Sequence, residues 1–217
     1  MDNLSPKSKH HLPLLIVIAG PNGSGKTSVT SQLLKSEWVE DALYINPDII
    51  AQEKFGDWNN QEAVINAAKF CEQLREKCLA ERKSFIFETV MSAKDKVNFI
   101  ERAKHAGYFI RIFFISTKSP AINASRIANR VIKGGHDVPI QKIVSRYAKS
   151  LVNCHIVGKF VDRLYVYDNS VDGRMPEPLF RLRNGNMGKM YVKELPEWAK
   201  NILPDDEIQI QDTTIPD

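Results

Sequence analysis

The sequence has few cysteines and no long hydrophobic run. Its three cysteines, Cys71, Cys78 and Cys154, show no CxxC spacing and leave an odd number, which argues against a disulfide framework or a zinc site. No apolar stretch approaches the roughly 18 residues that a membrane span requires. These absences predict a cytoplasmic protein of a reducing compartment that does not associate with a membrane.

One end of the chain also lacks positive charge. Residues 204–217 contain no lysine or arginine and have a charge of −5, whereas the whole chain has a net charge of +4. The difference leaves +9 on residues 1–203, and such a basic body suits an anionic ligand, an anionic co-substrate or a nucleic acid. We therefore expect a flexible segment over 1–11, a single domain over 12–203 and an acidic tail over 204–217.

A glycine-rich segment follows the apolar run 14–19. Its residues, Gly20-Pro21-Asn22-Gly23-Ser24-Gly25-Lys26-Thr27, match the P-loop pattern at every defined position, and Ser28 continues into a predicted helix. The glycines allow backbone N–H groups to surround a phosphate, and the helix N-terminus adds partial positive charge. Lys26 then reaches the β- and γ-phosphates and Thr27 ligates Mg²⁺. The segment predicts binding of ATP, or alternatively GTP, together with Mg²⁺.

Apolar runs alternate with amphipathic stretches along the chain. Runs at 14–19, 42–46, 84–87, 109–115 and 163–167 predict five strands, most of them continuously apolar as in a parallel sheet covered on both faces. The turn residues Asn184-Gly185-Asn186, between 179–183 and 189–192, predict a small C-terminal hairpin. The expected fold class is an α/β P-loop NTPase, with a five-stranded, mostly parallel sheet flanked by helices.

Two acidic residues follow predicted strands at the edge of the sheet where ligands bind. Asp48 comes after the second strand, where a carboxylate can accept the proton of an attacking hydroxyl. Alternatively, Asp48 is the N-cap of a short helix from Ile49 to Lys54. Glu88 and Thr89 end the third strand, as in a Walker B arrangement in which the acid contacts Mg²⁺ or its water shell. Glu88 could instead bind the acceptor.

Arginines are concentrated on two predicted helices after the fourth strand. Arg126 and Arg130 are four residues apart and share one helical face, and the next helix carries Arg146. A glycine-rich turn joins the helices, so residues 119–157 are predicted to form a lid whose arginines stabilise the transferring phosphoryl group. The alternative is a solvated basic face with local ion pairs. The absence of acidic residues over 103–136 argues against it.

Several segments together resemble one family. The segments AGPNGSGKTS, NPDIIA, FETVMS, RIANRVIKGGHDVP with RYAKSL, and VYDNS, within residues 14–170, resemble zeta-toxin-like P-loop kinases. The resemblance implies an ATP-dependent kinase with a nucleoside-monophosphate-kinase-like core. It also implies the 3′-hydroxyl of UDP-N-acetylglucosamine as acceptor and an antitoxin protein as partner.

The resemblance also implies roles for individual residues. Asp48 corresponds to the family's base and Glu88 to its acid after the third strand, while Arg126 or Arg130, together with Arg146, corresponds to the lid arginines. The chain is shorter than the toxins and differs from them around Asp48 and after Glu88. These differences lie on the acceptor side of the site, so the acceptor stays open.

The sequence thus favours a phosphotransferase that moves the γ-phosphate of ATP to a hydroxyl of a small anionic acceptor, such as a nucleotide sugar. One alternative is a kinase acting on a nucleotide or a nucleic acid. For a nucleic acid, the chain lacks an aromatic-rich basic stripe that would stack bases. Another alternative is an ATP-binding or ATP-hydrolysing switch, which would tolerate Asp48→Asn and has no need for an arginine-lined lid.

Overall fold

The computed structural model describes residues 12–36, 39, 41–56, 61–135 and 137–204. The predicted flexible segment over 1–11 and the acidic tail beyond Pro204 lie outside these residues. The strands are β1 (Leu14–Ala19), β2 (Leu43–Ile45), β3 (Phe85–Thr89), β4 (Phe109–Ser116), β5 (Arg163–Asp168), β6 (Glu177–Arg183) and β7 (Asn186–Met190). The helices are α1 (Lys26–Leu33), α2 (Pro47–Phe55), α3 (Gln61–Ala80), α4 (Lys94–His105), α5 (Pro120–Ile132), α6 (Ile140–Gly158) and α7 (Glu197–Lys200).

The described strands form one sheet in the order β2-β3-β1-β4-β5-β6-β7. Strands β1 to β5 are parallel, as predicted, and β6 and β7 are antiparallel additions next to β5. The α/β P-loop fold class is confirmed, but the prediction of five strands is wrong because the sheet of the described residues has seven. The hairpin pairs with the edge of β5 and satisfies backbone groups that an open edge would leave unpaired. Because an isolated hairpin is only marginally stable, this pairing also stabilises the hairpin.

Strand β1 is buried on both faces, which explains its uninterrupted apolar sequence. Leu15 and Val17 belong to the larger core cluster, to which α3, α4, α6 and α7 contribute. Ile16 and Ile18 belong to the smaller cluster on the opposite face, to which α1 contributes. The P-loop motif therefore follows a strand fixed at the centre of the sheet.

The hairpin turn is tighter than the sequence predicts. Asn184 and Gly185 both have positive φ values, 49° and 82°, as a two-residue type I′ turn requires. The second strand consequently begins at Asn186 instead of 189. A Cβ atom on Gly185 would lie 2.6 Å from the carbonyl oxygen of Lys159, so this close approach also requires glycine.

The two helices of the predicted lid are α5 and α6. The hydroxyl oxygen of Ser119 accepts a hydrogen bond from the backbone N–H of Ala121 at 3.2 Å, which caps α5. Ile127 of α5 packs with Val138 and Ile143 in a small separate cluster. Helices α5 and α6 thus contact each other through apolar side chains. That they open or close over a ligand stays a prediction. Within the described ranges, no helix combines the length and the apolar character that crossing a membrane requires.

A buried tryptophan attaches the C-terminal segment to the sheet. Trp198 of α7 is 5% exposed, and its indole Nε1–H donates to Oδ2 of Asp168 at 2.9 Å, at the end of β5. Oδ1 of the same carboxylate accepts from the backbone N–H of Ser170 at 2.6 Å. Asp168 therefore fixes both α7 and the loop that follows β5.

We expect Trp198→Phe to lower the free energy of unfolding by about 1–3 kcal/mol, because it leaves a partly buried carboxylate oxygen without its donor. Urea denaturation followed by circular dichroism measures this change. The neighbouring variant Glu197→Gln, at an exposed position, is the control and should change stability by less than about 0.5 kcal/mol. Equal stability of Trp198→Phe and the unmodified chain would contradict this role.

Candidate active site

The P-loop lies against two asparagine side chains from distant parts of the chain. Gly23 has φ of 77°, and a Cβ atom there would lie 2.6 Å from the carbonyl oxygen of Asn123 in α5. Gly25 has φ of 88°, and a Cβ atom there would lie 2.1 Å from Nδ2 of Asn169. At both positions a side chain would strain the backbone and also collide with an asparagine. The two glycines thus allow the loop to be held from two sides.

The same asparagines donate hydrogen bonds to the loop. Nδ2 of Asn123 donates to the carbonyl oxygen of Asn22 at 2.7 Å, and Nδ2 of Asn169 donates to that of Ser24 at 2.8 Å. Asn123 is fully buried and Asn169 is 9% exposed, so both donor side chains are shielded from water. Because the loop carbonyls are occupied in this way, α5 and the end of β5 are positioned by the P-loop. Neither contact is predicted by the sequence.

Lys26 lies at the start of α1 with its ammonium group turned back over the loop. Nζ donates to the carbonyl oxygens of Gly20 at 2.9 Å and Pro21 at 3.1 Å. Burial is the main cause that lowers the pKa of Lys26 to about 8, and nearby Arg130 lowers it further, while the carboxylates of Glu88 and Asp48 partly oppose the shift. The lysine charge is thus sensitive to any anion that enters the site.

Glu88 accepts two hydroxyl hydrogen bonds at the end of β3. The Oγ1–H of Thr30 donates to Oε1 of Glu88 at 2.7 Å, and the hydroxyl of Tyr44 donates to the same oxygen at 2.6 Å. Nδ2 of Asn46 donates in turn to the Tyr44 oxygen at 2.7 Å. Burial, followed by the bond to Glu88, raises the pKa of Tyr44, so its hydroxyl stays a donor at neutral pH. Sequence reasoning missed Tyr44 and Thr30, since neither belongs to a recognisable motif.

Asp48 is placed by a helix cap that comes from Asn46 and not from Asp48 itself. Oδ1 of Asn46 accepts from the backbone N–H groups of Asp48 at 2.8 Å and Ile49 at 3.4 Å, so Asn46 is the N-cap of α2. The helix begins at Pro47, a preferred residue type for the first turn. The alternative interpretation of Asp48 as the cap is therefore wrong, and its exposed carboxylate faces a cavity instead.

Most of the predicted site residues meet at this cavity, whose volume is about 470 Å³. Its lining residues are Asn22, Gly23, Gly25, Lys26, Thr27, Asn46, Pro47, Asp48, Glu88, Thr89, Val90, Arg126, Ile127 and Arg130. The predicted site residues outside this set are Gly20, Pro21, Ser24, Ser28 and Arg146. Gly20, Pro21 and Ser24 nevertheless shape the loop, because their carbonyl oxygens accept the bonds of Lys26 and Asn169.

The three predicted lid arginines have different surroundings. Nε of Arg126 donates to Oδ1 of Asp172 at 2.7 Å. This arginine therefore pairs with an acid 46 residues away, a contact that cannot be predicted from the sequence near Arg126. Nη1 of Arg146 donates to Oδ1 of Asn22 at 3.3 Å and thus contacts the loop from outside the cavity. The side chain of Arg130 lies against Gly135, where a Cβ atom would come within 2.5 Å of its Cγ. The glycine-rich turn therefore positions Arg130.

Comparison with known proteins places these features in a family context. The zeta toxin family model matches residues 2–172. An uncharacterized protein of Haemophilus influenzae (strain ATCC 51907 / DSM 11121 / KW20 / Rd) is 28% identical over 134 residues, which are 61% of this chain and 91% of that protein.

Two solved structures have a similar fold. A chain of the AvrRxo1-ORF1:AvrRxo1-ORF2 complex with ATP superposes with a TM-score of 0.62 at 17% identity, over 91% of this chain and 66% of that chain. This chain therefore spans slightly less than two thirds of that relative. A chain from the PezAT chromosomal toxin-antitoxin system of Streptococcus pneumoniae superposes with a TM-score of 0.60 at 14% identity, over 96% and 88% of the two chains. At these identities the likeness shows the fold.

The lowered pKa of Lys26 predicts a specific pH dependence of ATP binding. A polyphosphate beside the ammonium raises its pKa above the value of about 8 in the free protein. Below that pH the lysine is already protonated, and affinity changes little. Above it, binding requires proton uptake, so affinity falls by up to about tenfold per pH unit.

Isothermal titration calorimetry with ATP, from neutral pH into the alkaline range, measures this effect. Lys26→Met is the matched control, and its weaker binding should lack this dependence. A flat profile for the unmodified protein across the same range would show that the pKa of the Lys26 ammonium is not lowered in the free site.

Proposed function

This chain belongs to the zeta-toxin family of P-loop kinases, and we propose that it transfers the γ-phosphate of ATP to a hydroxyl of a small anionic acceptor. The observation that carries the proposal is the shared cavity, which Lys26, Asp48 and Glu88 line together with Arg126 and Arg130. A phosphate-binding lysine, a carboxylate suited to accept a proton and two cations are the groups that phosphoryl transfer uses.

ATP is the phosphoryl donor in this proposal. The fold neighbour from the AvrRxo1-ORF1:AvrRxo1-ORF2 complex was solved with ATP, which supports this choice. The backbone N–H groups of the P-loop and the N-terminus of α1 would hold the β-phosphate. Lys26 would exchange its bonds to the carbonyls of Gly20 and Pro21 for the phosphates, a movement that its flexible side chain permits.

The protein oxygens around the cavity suit Mg²⁺. Hard cations prefer oxygen ligands, and Mg²⁺ is usually held by one or two carboxylates together with substrate phosphates. Thr27 and Glu88 both line the cavity and supply a hydroxyl and a carboxylate. When bound there, the ion would neutralise phosphate charge. Thr30 and Tyr44 fix the Glu88 carboxylate by their hydrogen bonds to it.

Asp48 is the proposed base. The acceptor hydroxyl gives its proton to the Asp48 carboxylate while its oxygen forms a bond to the γ-phosphorus. The bond from that phosphorus to the bridging oxygen breaks, and ADP leaves with the electron pair. Arg130 and Arg126 stabilise charge on the transferred group. Arg146 is proposed to act through Asn22, since it contacts the loop rather than the cavity.

The acceptor is proposed from the family and from the charge of the site. Lys26, Arg126 and Arg130 line the cavity and favour an anionic molecule. UDP-N-acetylglucosamine, implied by the family resemblance, is such a molecule and offers a free 3′-hydroxyl. An antitoxin partner is proposed on the same basis, because the PezAT neighbour comes from a toxin-antitoxin system.

Phosphorus NMR of the protein with ATP, Mg²⁺ and UDP-N-acetylglucosamine tests the function directly. We expect a new phosphomonoester signal, which should disappear with Asp48→Asn although that variant still binds ATP, because only proton transfer is lost. Lys26→Ala should abolish turnover. The matched control is Glu53→Gln, an exposed residue on the same helix as Asp48, and its rate should be unchanged.

Near-normal transfer by Asp48→Asn would refute its role as the base. ADP formed equally with and without the acceptor would refute the transferase and favour the ATP-hydrolysing switch. ATP left intact in both samples would refute UDP-N-acetylglucosamine as the acceptor and lead to a screen of other anionic alcohols.

The hydroxyl network around Glu88 generates a second prediction. Tyr44→Phe removes one of the two donors to Oε1, and the loss of such a supporting contact lowers metal affinity by about tenfold or more. We expect the Mg²⁺ concentration for half-maximal rate to rise accordingly, with the maximal rate recovered at high Mg²⁺. ATP affinity without Mg²⁺ should not change. Tyr191→Phe, remote from the cavity, is the control, and an unchanged Mg²⁺ requirement in Tyr44→Phe would contradict the role of Glu88.

A further inference from the structure

One face of the sheet is covered by a helix over only part of its width. Helices α3, α4, α6 and α7 contribute to the cluster on one face, which extends from β2 to β6. On the other face, Val29 and Leu33 of α1 pack near Ile16 and Ile86. Among the described residues, no helix contributes to this second face over β5, β6 and β7. Their outward side chains therefore form a separate surface.

Basic side chains lie opposite one another across this surface. Arg111 of β4 pairs in register with Arg163 of β5, which pairs with Arg183 of β6. Arg181, two residues from Arg183 on the same face, pairs with Lys189 of β7. Like charges directly opposite are unfavourable in a sheet, and no described strand residue of β4–β7 on this face is acidic. The strands thus concentrate positive charge on this surface.

Aromatic rings alternate with these cations. The ring of Phe109 lies 5.4 Å from the guanidinium carbon of Arg111 and 5.6 Å from that of Arg163. The rings of Phe113 and Tyr165 stack with centroids 4.9 Å apart and planes inclined by 7°. The surface therefore combines guanidinium groups held over the ring of Phe109 with the partly buried ring of Tyr165, which packs on the buried ring of Phe113.

The aromatic set continues towards the edge of the sheet. The ring of Tyr167 lies 6.5 Å from that of Phe113, and Tyr167 is partly buried. Tyr191 is 39% exposed, and Nζ of Lys189 lies 4.8 Å from its ring centroid. An exposed ring next to a cation is suited to a ligand that has both bases and phosphates.

We propose that this surface binds single-stranded nucleic acid. The arginines on neighbouring strands are spaced by about 4.8 Å and those two apart on one strand by roughly 6.6 Å, which allows contact with successive phosphates. Unpaired bases offer faces for stacking on tyrosine and arginine, whereas duplex bases are stacked on one another. The linear sequence has no aromatic-rich basic stripe because the sheet assembles this surface from four strands.

The surface is distinct from the cavity of the proposed kinase site, and the proposal does not depend on that function. It shares no residue with the lining of the cavity. An acidic protein segment would complement the charge equally well but would leave the stacking faces unused. The rings therefore favour a nucleic acid over an acidic peptide.

Fluorescence anisotropy with a labelled, mixed-sequence RNA or DNA strand of about 12 nucleotides tests the proposal. We expect Arg163→Gln/Arg183→Gln to weaken binding at least tenfold at about 100 mM salt. The slope of log affinity against log salt should fall by about 0.7 for each lost phosphate contact. The control Lys142→Gln/Lys149→Gln removes the same charge from exposed positions of α6, on the opposite side of the sheet, and should retain binding.

Tyr191→Ala separates stacking from charge. We expect it to weaken binding about fivefold or more while leaving the salt slope unchanged. Thermal melting confirms that each variant is folded, and phosphotransfer should persist in Arg163→Gln/Arg183→Gln.

Four results would overturn the proposal. They are no binding of either strand at low salt, unchanged binding by the double arginine variant, a duplex bound as tightly as a single strand, and displacement of the strand by ATP. The last result would place the strand in the cavity. Tight binding of an acidic peptide without binding of either strand would identify the surface as a protein-docking site.

Discussion

The hydrogen bonds that the buried side chains of Asn123 and Asn169 donate to the P-loop carbonyls determine the geometry of the whole site. A glycine-rich loop loses much conformational freedom when it adopts one shape, so contacts from outside the loop must oppose this loss. Each such amide bond contributes about 0.5–1.5 kcal/mol net, and removing the donor from Asn169 would leave the carbonyl of buried Ser24 unsatisfied. Because Asn123 is in α5, the same contact also sets where Arg126 and Arg130 meet the cavity.

The charges in the cavity are balanced by residues from separate elements. Lys26 and Arg130 repel each other, which helps to lower the pKa of the lysine, while Glu88 and Asp48 act in the opposite direction. Entry of a polyphosphate would reverse this balance in favour of the ammonium. Glu88 is held by hydroxyl donors rather than by a cation, since Thr30 and Tyr44 contact the same oxygen. Its charge therefore remains available to a divalent ion.

Local sequence patterns predicted the parts of the site that neighbouring residues determine. The P-loop follows β1, Asp48 comes shortly after β2 and Glu88 lies near the end of β3, so their position at the carboxyl edge of the sheet follows from the alternation of strands and helices. Contacts between distant residues were not predictable. The pair of Arg126 with Asp172 joins residues 46 apart, and the bond of Tyr44 to Glu88 joins residues 44 apart. The cap at Asn46 was a different error, since Asn46 and Asp48, two polar residues separated by Pro47, both suit the N-cap of the same helix.

The C-terminal hairpin changes the sheet far beyond its own turn. Pairing of the hairpin with β5 widens the sheet, and α6 and α7 contribute to the core on one face of the added strands. The opposite face gains width without a matching helix among the described residues. Arginine, lysine and tyrosine suit such a face because their apolar parts cover the backbone while their polar ends reach water. The side chains that cover the wider face with polar groups thereby also concentrate positive charge beside aromatic rings. No single segment of the sequence contains this surface.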